Sequence, residues 1–209
     1  MYNLLKSDFP SVSGVLSIFQ LIFNCETRVN FCIESNEEEQ IIDSVADKIS
    51  KFVSCCTQAD MGIHNQLTIQ NVSFHIHNPN NENFCLLQID NGTVKNEKTT
   101  EGVKRCDCAV ISKNILCFIE FKTYSSSSCK DKTKDSNYKK AYRQLSATTD
   151  LFQSKLKSKN LNLNTVRKVS AYICFKKNYT HIPRCTRSYA VKFLNKFNIP
   201  LHFKNELTI

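Results

Sequence analysis

Residues 105–122, RCDCAVISKNILCFIEFK, contain the pattern that decides the fold. Two runs rich in apolar and β-branched residues, 106–112 and 115–123, flank the pair Lys113-Asn114. Runs of this length on either side of two turn-forming residues are typical of a β-hairpin. The sequence therefore predicts two adjacent antiparallel strands joined by a two-residue turn.

Three polar side chains should meet at the open end of this hairpin. Pairing across the turn places residue 113−n opposite residue 114+n, so Asp107 should lie opposite Glu120. Side chains alternate along a strand, so Glu120 and Lys122 project from one face while Ile119 and Phe121 are buried on the other. We therefore expect two carboxylates and one amine together at the end of an otherwise apolar hairpin.

This trio has two interpretations. Adjacent carboxylates repel each other, and burying them without a partner is costly. A divalent cation removes that cost, and oxygen ligands at a sheet edge suit Mg²⁺ or Mn²⁺, which can polarise a phosphate and activate a bound water. Lys122 could then steady the negative charge that develops during hydrolysis. The alternative is a strand end held by a salt bridge of Lys122 with Glu120 or Asp107, without chemistry.

The pattern resembles the PD-(D/E)xK nuclease superfamily, the restriction-endonuclease-like proteins. In that family an Asp opens the second core strand and an E-x-K ends the third, which here are Asp107 and Glu120-Phe121-Lys122. The resemblance covers about residues 37–175. It implies a Mg²⁺- or Mn²⁺-dependent endonuclease with Asp107, Glu120 and Lys122 as catalytic residues and the two carboxylates as metal ligands. One departure is Cys106, where the family often has Pro.

The resemblance also implies a helix before the hairpin that often supplies another acidic metal ligand. Apolar residues spaced along one helical face predict a helix over residues 37–52: Ile41, Ile42, Val45, Ile49 and Phe52. Ser35 and Glu38 match a capping box at its start. Glu38 is the preferred third metal ligand because it shares the apolar face, although capping is its alternative role. Three other acidic residues stay open as ligands: Glu34, Glu37 and Glu39.

A further helix is implied after the E-x-K strand, in some branches with a Gln or Lys near the site. Apolar spacing predicts this helix over residues 138–157, and Gln144 is the preferred additional catalytic residue. Neighbouring basic residues are candidates for nucleic-acid contacts: Lys139, Lys140 and Arg143. The polar residues 123–137 predict a mobile loop, which either closes over nucleic acid or is plain disorder.

Charge is distributed unevenly along the chain. Residues 1–121 contain 9 Lys and Arg against 15 Asp and Glu, whereas residues 122–209 contain 19 against 4. A basic C-terminal part of this kind suits a polyanion, because each neutralised phosphate releases counterions; a solvated lysine-rich face is the alternative. Lys176 and Lys177 are further candidates for nucleic-acid contact, since neighbouring aromatics could stack bases or, alternatively, be buried in a strand: Tyr172, Phe175 and Tyr179.

The whole pattern predicts a single α/β domain over residues 1–209, with a restriction-endonuclease-like core of mixed β-sheet flanked by α-helices. Further predicted elements are a helix or strand at 14–24, strands at 67–77 (with a bulge), 84–89 and 169–175, and a helix at 189–197.

Composition and resemblance also predict location and partners. With no long apolar run or signal peptide, and 11 cysteines interpreted as reduced thiols, we expect a cytoplasmic protein without membrane contact. The expected partner is nucleic acid, with DNA favoured over RNA because most of the superfamily acts on DNA. Specificity would come from loops, a homodimer or a larger complex. The alternative function is a non-catalytic nucleic-acid-binding module, or a subunit of a restriction, repair or defence complex.

Overall fold

The computed structural model describes residues 32–35, 39–44, 49–54, 72–82, 84–89, 105–112, 114–122, 131–158, 160, 162–163, 168–175 and 185–209. These residues form a mixed α/β fold of two β-sheets and two helices. In chain order the elements are β1 (Cys32–Ser35), β2 (Glu39–Ser44), β3 (Ile49–Ser54), β4 (Val72–His77), β5 (Phe84–Gln88), β6 (Cys108–Ser112), β7 (Ile115–Lys122), α1 (Asp131–Lys157), β8 (Lys168–Phe175), α2 (Cys185–Phe197), β9 (Leu201–His202) and β10 (Glu206–Thr208). Neither of these helices is long and apolar enough to cross a membrane.

The larger sheet is mixed, with the strand order β1-β5-β6-β7-β8-β9. Strands β1, β5, β6 and β7 pair antiparallel with one another, whereas β8 pairs in parallel with β7 and β9 pairs in parallel with β8. Cys108 pairs with Ile119 and Ile111 pairs with Leu116, so the predicted hairpin and its register are confirmed. Parallel neighbours require a crossover connection, and α1 provides it between β7 and β8.

Both faces of the β6–β7 hairpin are buried. Leu116 and Phe118 belong to a core shared with α1 and α2, where Phe118 packs edge-on against Phe152. Cys117 and Ile119 belong to a second core on the opposite face, shared with strands β4 and β10 of the smaller sheet. The hairpin is therefore the middle of three layers, which explains why its sequence is almost continuously apolar.

The smaller sheet has the order β10-β4-β2-β3 and replaces the helix predicted over residues 37–52, which is wrong. Strands β2 and β3 form an antiparallel pair in which Ile41 lies opposite Phe52. Ser35 ends β1 opposite Phe84, so it pairs in a sheet instead of capping a helix. The segment is rich in β-branched residues, and pairing with β4 outweighs a spacing that also fits one helical face.

The strands predicted at 84–89 and 169–175 are confirmed as β5 and β8, and the one at 67–77 is confirmed from Val72 onward, with a bulge in its pairing to β2. The helix predicted at 189–197 begins earlier, at Cys185. Residues 14–24 lie outside the described part of the chain.

The helix predicted over residues 138–157 is confirmed but begins at Asp131, so the predicted loop is wrong for residues 131–137. Polar composition suggested a loop there. The segment is nevertheless helical, and Asp135 in it accepts a hydrogen bond of 3.3 Å from the Tyr189 hydroxyl on α2. Residues 123–130 lie outside the described residues.

We expect Phe118→Ala to reduce the free energy of unfolding by about 3–5 kcal/mol, because Phe118 is fully buried between the hairpin and α1. Denaturant titration monitored by circular dichroism would measure the loss. The matched control is Leu194→Ala on α2, whose side chain is 46% exposed and whose removal should cost no more than about 0.5 kcal/mol. Equal losses in the two variants would contradict the three-layer packing.

Candidate functional site

Asp107 lies one residue before β6, at the open end of the hairpin, and its backbone and side chain are both held. Its carbonyl accepts a hydrogen bond of 3.0 Å from the Ile89 amide. Its Oδ2 accepts a bond of 2.7 Å from the amide of Phe121, between the two polar positions of β7. Asp107 stays half-buried, so the carboxylate is anchored on the hairpin and still partly open to solvent.

Glu120 carries the second carboxylate and is almost completely buried, at 1% exposure. One oxygen, Oε1, accepts a hydrogen bond from the Lys122 ammonium, whereas Oε2 is buried and has no hydrogen-bond partner among the described residues. Burial raises the pKa of Glu120 well above its ordinary value, and the charge of Asp107 raises it further, while Lys122 opposes the shift. Glu120 therefore favours its protonated form in the metal-free protein, because its surroundings do not fully compensate a second negative charge beside Asp107.

Lys122 is positioned by groups from two elements. Besides Glu120, its Nζ donates to the carbonyl of Phe121 at 3.2 Å and to Oε1 of Gln144 on α1 at 3.2 Å. Its side chain is 13% exposed. Three acceptors around one compact ammonium fix its position near both carboxylates while part of it faces solvent.

Gln144, the residue preferred from the sequence, joins the site from the buried side of α1. Its Oε1 accepts from Lys122, and its Nε2 donates to the carbonyl of Arg105 at 3.0 Å. The amide thus connects the end of β7 to the segment that precedes Asp107. Asp107, Glu120, Lys122 and Gln144 are therefore close together, as the sequence predicts.

Thr148, one helical turn after Gln144, also contacts this segment. Its hydroxyl donates to the Gln144 carbonyl at 2.9 Å and accepts a bond of 2.9 Å from the amide of Cys106. The sequence pattern does not single out Thr148, because a Thr in the middle of a helix has no chemical signature of its own. Its only signal is the i+4 spacing from Gln144, which places both side chains on one side of the helix.

Two of the four candidates for the third acidic ligand lie among the described residues. Glu34 pairs with Cys85, four residues along β5 from the Ile89 position, or about 13 Å along the strand. Glu39 begins β2 in the smaller sheet, which packs on the opposite face of the hairpin from α1. Neither backbone position suits the site, while Glu37 and Glu38 lie outside the described residues. Within the described residues, no group of three or more His, Cys, Asp or Glu side chains is arranged to hold a metal ion.

The predicted nucleic-acid contacts lie partly on α1. Lys139, Lys140 and Arg143 are all exposed, and the last two occupy positions within one helical turn of Gln144. Lys176 and Lys177 fall outside the described part of the chain. Lys140 and Arg143 are thus exposed on the same stretch of α1 that carries Gln144.

No protein-family model matches this chain, and no curated protein or solved structure matches it significantly.

We expect the metal-free protein to lose stability as the pH rises from about 4.3, the ordinary pKa of Glu, through the raised folded-state pKa of Glu120. The folded state holds this proton more tightly than the unfolded chain does, so stability is greatest while Glu120 is protonated and falls as it ionises. Glu120→Gln preserves the shape and should remove this part of the pH dependence.

The measurement is the free energy of unfolding in EDTA across that pH range for both proteins. Glu206→Gln, which removes an exposed carboxylate on β10, is the control. Identical pH profiles for the wild type and the Glu120 variant would contradict the conclusion that burial and the Asp107 charge destabilise the ionised form of Glu120.

Proposed function

We propose that this chain is a metal-dependent nuclease that hydrolyses phosphodiester bonds in nucleic acid, with DNA as the expected substrate. The observation that carries the proposal is the convergence of Asp107, Glu120 and Lys122 at one end of the hairpin. A largely apolar hairpin gains nothing in stability from two neighbouring carboxylates, and their presence there points to a binding or catalytic role.

The arrangement agrees with the expectations drawn from the PD-(D/E)xK pattern. Asp107 immediately precedes the second of the three consecutive antiparallel strands β5, β6 and β7. Glu120 and Lys122 end the third, and the helix that follows brings Gln144 to Lys122. Residues 39–44 and 49–54 are strands where a helix was expected before the hairpin, so a third acidic ligand is not part of the proposal.

The side chains fit a divalent cation. Oε2 of Glu120 is a buried oxygen with no hydrogen-bond partner among the described residues, and the two carboxylates raise each other's energy. Asp107 and Glu120 would hold Mg²⁺ or Mn²⁺ through these oxygens, which are the donors that such ions prefer. When bound, the ion would polarise a phosphate oxygen and lower the pKa of a bound water.

The protein's own groups have distinct roles in this proposal. The Phe121 amide keeps Asp107 in place, and the Lys122 ammonium stabilises negative charge beside the carboxylate pair. Gln144 orients Lys122 through its side-chain oxygen. The exposed cations Lys140 and Arg143 on α1 contact the phosphate backbone next to the cleavage site.

One observation favours a second candidate, a non-catalytic nucleic-acid-binding module or a subunit that needs a partner. The ion pair of Lys122 with Glu120 neutralises part of the charge without any metal. A binding module nevertheless has no use for a second carboxylate next to bound phosphate. Metal-dependent cleavage is the property that separates the two candidates.

Purified protein should cut nucleic acid with Mg²⁺ or Mn²⁺ and not with EDTA. Asp107→Asn, Glu120→Gln and Lys122→Ala should each abolish cleavage with the circular dichroism spectrum unchanged, because each removes a metal ligand or the charge-stabilising amine. The assay incubates single- and double-stranded DNA and RNA with each protein, and Glu206→Gln is the control with an exposed carboxylate removed. Full cleavage by Glu120→Gln would refute the mechanism, and binding without cleavage would favour the second candidate.

Lys140→Ala and Arg143→Ala should weaken nucleic-acid binding and flatten its dependence on salt concentration, by about one unit of slope for each lost phosphate contact. Affinity measured by fluorescence anisotropy at several salt concentrations would show this.

The matched control is Lys168→Ala, which removes the same charge from an exposed position at the other end of β7 and β8. Lys168 pairs with Ile115, about 23 Å along the strand from Lys122. A salt slope that changes equally in all three variants would mean that only overall charge matters.

A further inference from the structure

Two hydrogen bonds from α1 hold the backbone immediately before Asp107. Gln144 Nε2 donates to the carbonyl of Arg105 at 3.0 Å, and the Thr148 hydroxyl accepts from the amide of Cys106 at 2.9 Å. These contacts link residues 39 and 42 positions apart in the chain, so they are tertiary and not part of the hairpin. The helix thus holds the segment whose next residue is the first carboxylate of the site.

Asp107 depends on this support because it lies outside the ladder of β6. On one side its carbonyl bonds to the Ile89 amide, and its carboxylate bonds to the Phe121 amide. Residues 105–107 are not assigned to a strand, and the Cys106 amide is bonded to a helix side chain. A small rotation of this segment would move the Asp107 carboxylate relative to Glu120, and metal ligands tolerate errors of only about 0.5 Å.

We infer that Thr148 is a positioning residue for Asp107: its hydroxyl fixes the Cys106 backbone so that the two carboxylates can bind one divalent cation. The inference rests on the proposed function, since it concerns the same metal site. Thr148 is fully buried and touches neither carboxylate in any described hydrogen bond, so it acts through the backbone.

The hydroxyl is suited to this task because it is held at both ends. It donates its proton to the Gln144 carbonyl at 2.9 Å, which leaves its lone pairs directed at the Cys106 amide. Gln144 in turn contacts Lys122. A single turn of α1 therefore sets the position of Asp107 and of the amine together.

The adjacent residue is a matched control. Thr149 is also fully buried and also donates to the carbonyl four residues earlier, that of Leu145, at 2.9 Å. The difference that matters is the bond to the Cys106 amide, which Thr148 accepts. A threonine-to-valine change at either position removes one buried hydroxyl from the same helix. Thr148→Ser keeps the hydroxyl that bonds to the Cys106 amide.

The test measures Mn²⁺ affinity by calorimetry and the Mn²⁺ concentration that gives half-maximal cleavage, for the wild type, Thr148→Val, Thr148→Ser and Thr149→Val. Circular dichroism at the assay temperature confirms that each protein is folded. We expect Thr148→Val to weaken Mn²⁺ binding by about 10- to 100-fold, the usual effect of removing a group that orients a ligand. Thr148→Ser should recover most of the affinity, and Thr149→Val should match the wild type.

Raising Mn²⁺ should recover cleavage by Thr148→Val, because the defect lies in ligand placement and not in the amine. Equal losses for Thr148→Val and Thr149→Val, or wild-type Mn²⁺ affinity in Thr148→Val, would overturn the positioning role while leaving the nuclease intact. A wild-type protein that neither binds Mn²⁺ nor cuts would overturn the proposed function itself, and the positioning role with it.

Discussion

A buried carboxylate beside a second carboxylate is the constraint around which the described structure is arranged. Glu120 is almost completely buried, and Asp107 is held next to it by the Phe121 amide. In an apolar sheet this arrangement persists only because surrounding elements oppose the repulsion. Lys122 supplies charge from the same strand, and Gln144 supplies an amide from α1 that keeps the ammonium in place. Without the Lys122 ammonium or the Gln144 amide, the two carboxylates would lack this support.

The three layers explain why Glu120 is shielded from solvent on both faces of the hairpin. The hairpin has the helices on one face and the smaller sheet on the other, so Glu120 has no route to water through either core. Among the described residues of the site, those with solvent exposure lie at the end of the hairpin, where Asp107 is half-buried and Lys122 is slightly exposed. The buried carboxylate of Glu120 and the partly exposed side chains of Asp107 and Lys122 therefore lie at the same end of the hairpin.

Elements determined by residues close in the chain are predicted from the sequence, whereas elements determined by contacts between distant segments are not. The hairpin is predicted with its register, because a period of two and a two-residue turn determine which residues face each other. The helix predicted over residues 37–52 fails because its β-branched residues also suit strands, and the pairing of β2 with the distant strand β4 decides between the two. The smaller sheet is hidden for the same reason, since β10 pairs with β4 across most of the chain. In the site, Gln144 is expected from the resemblance alone, whereas Thr148 depends on a backbone contact that its residue type does not indicate.

Helix α1 resolves an electrostatic conflict within the proposed function. Asp107 and Glu120 would attract a metal ion but repel phosphate, so they would not recruit nucleic acid alone. The exposed cations Lys140 and Arg143 lie within a turn of Gln144, the residue that bonds to Lys122. One helix therefore presents positive charge to solvent while its buried side holds the groups that order the carboxylates. In the proposed function, both tasks would depend on one helix, so the cations that attract phosphate and the groups that align the carboxylates would be held on the same element.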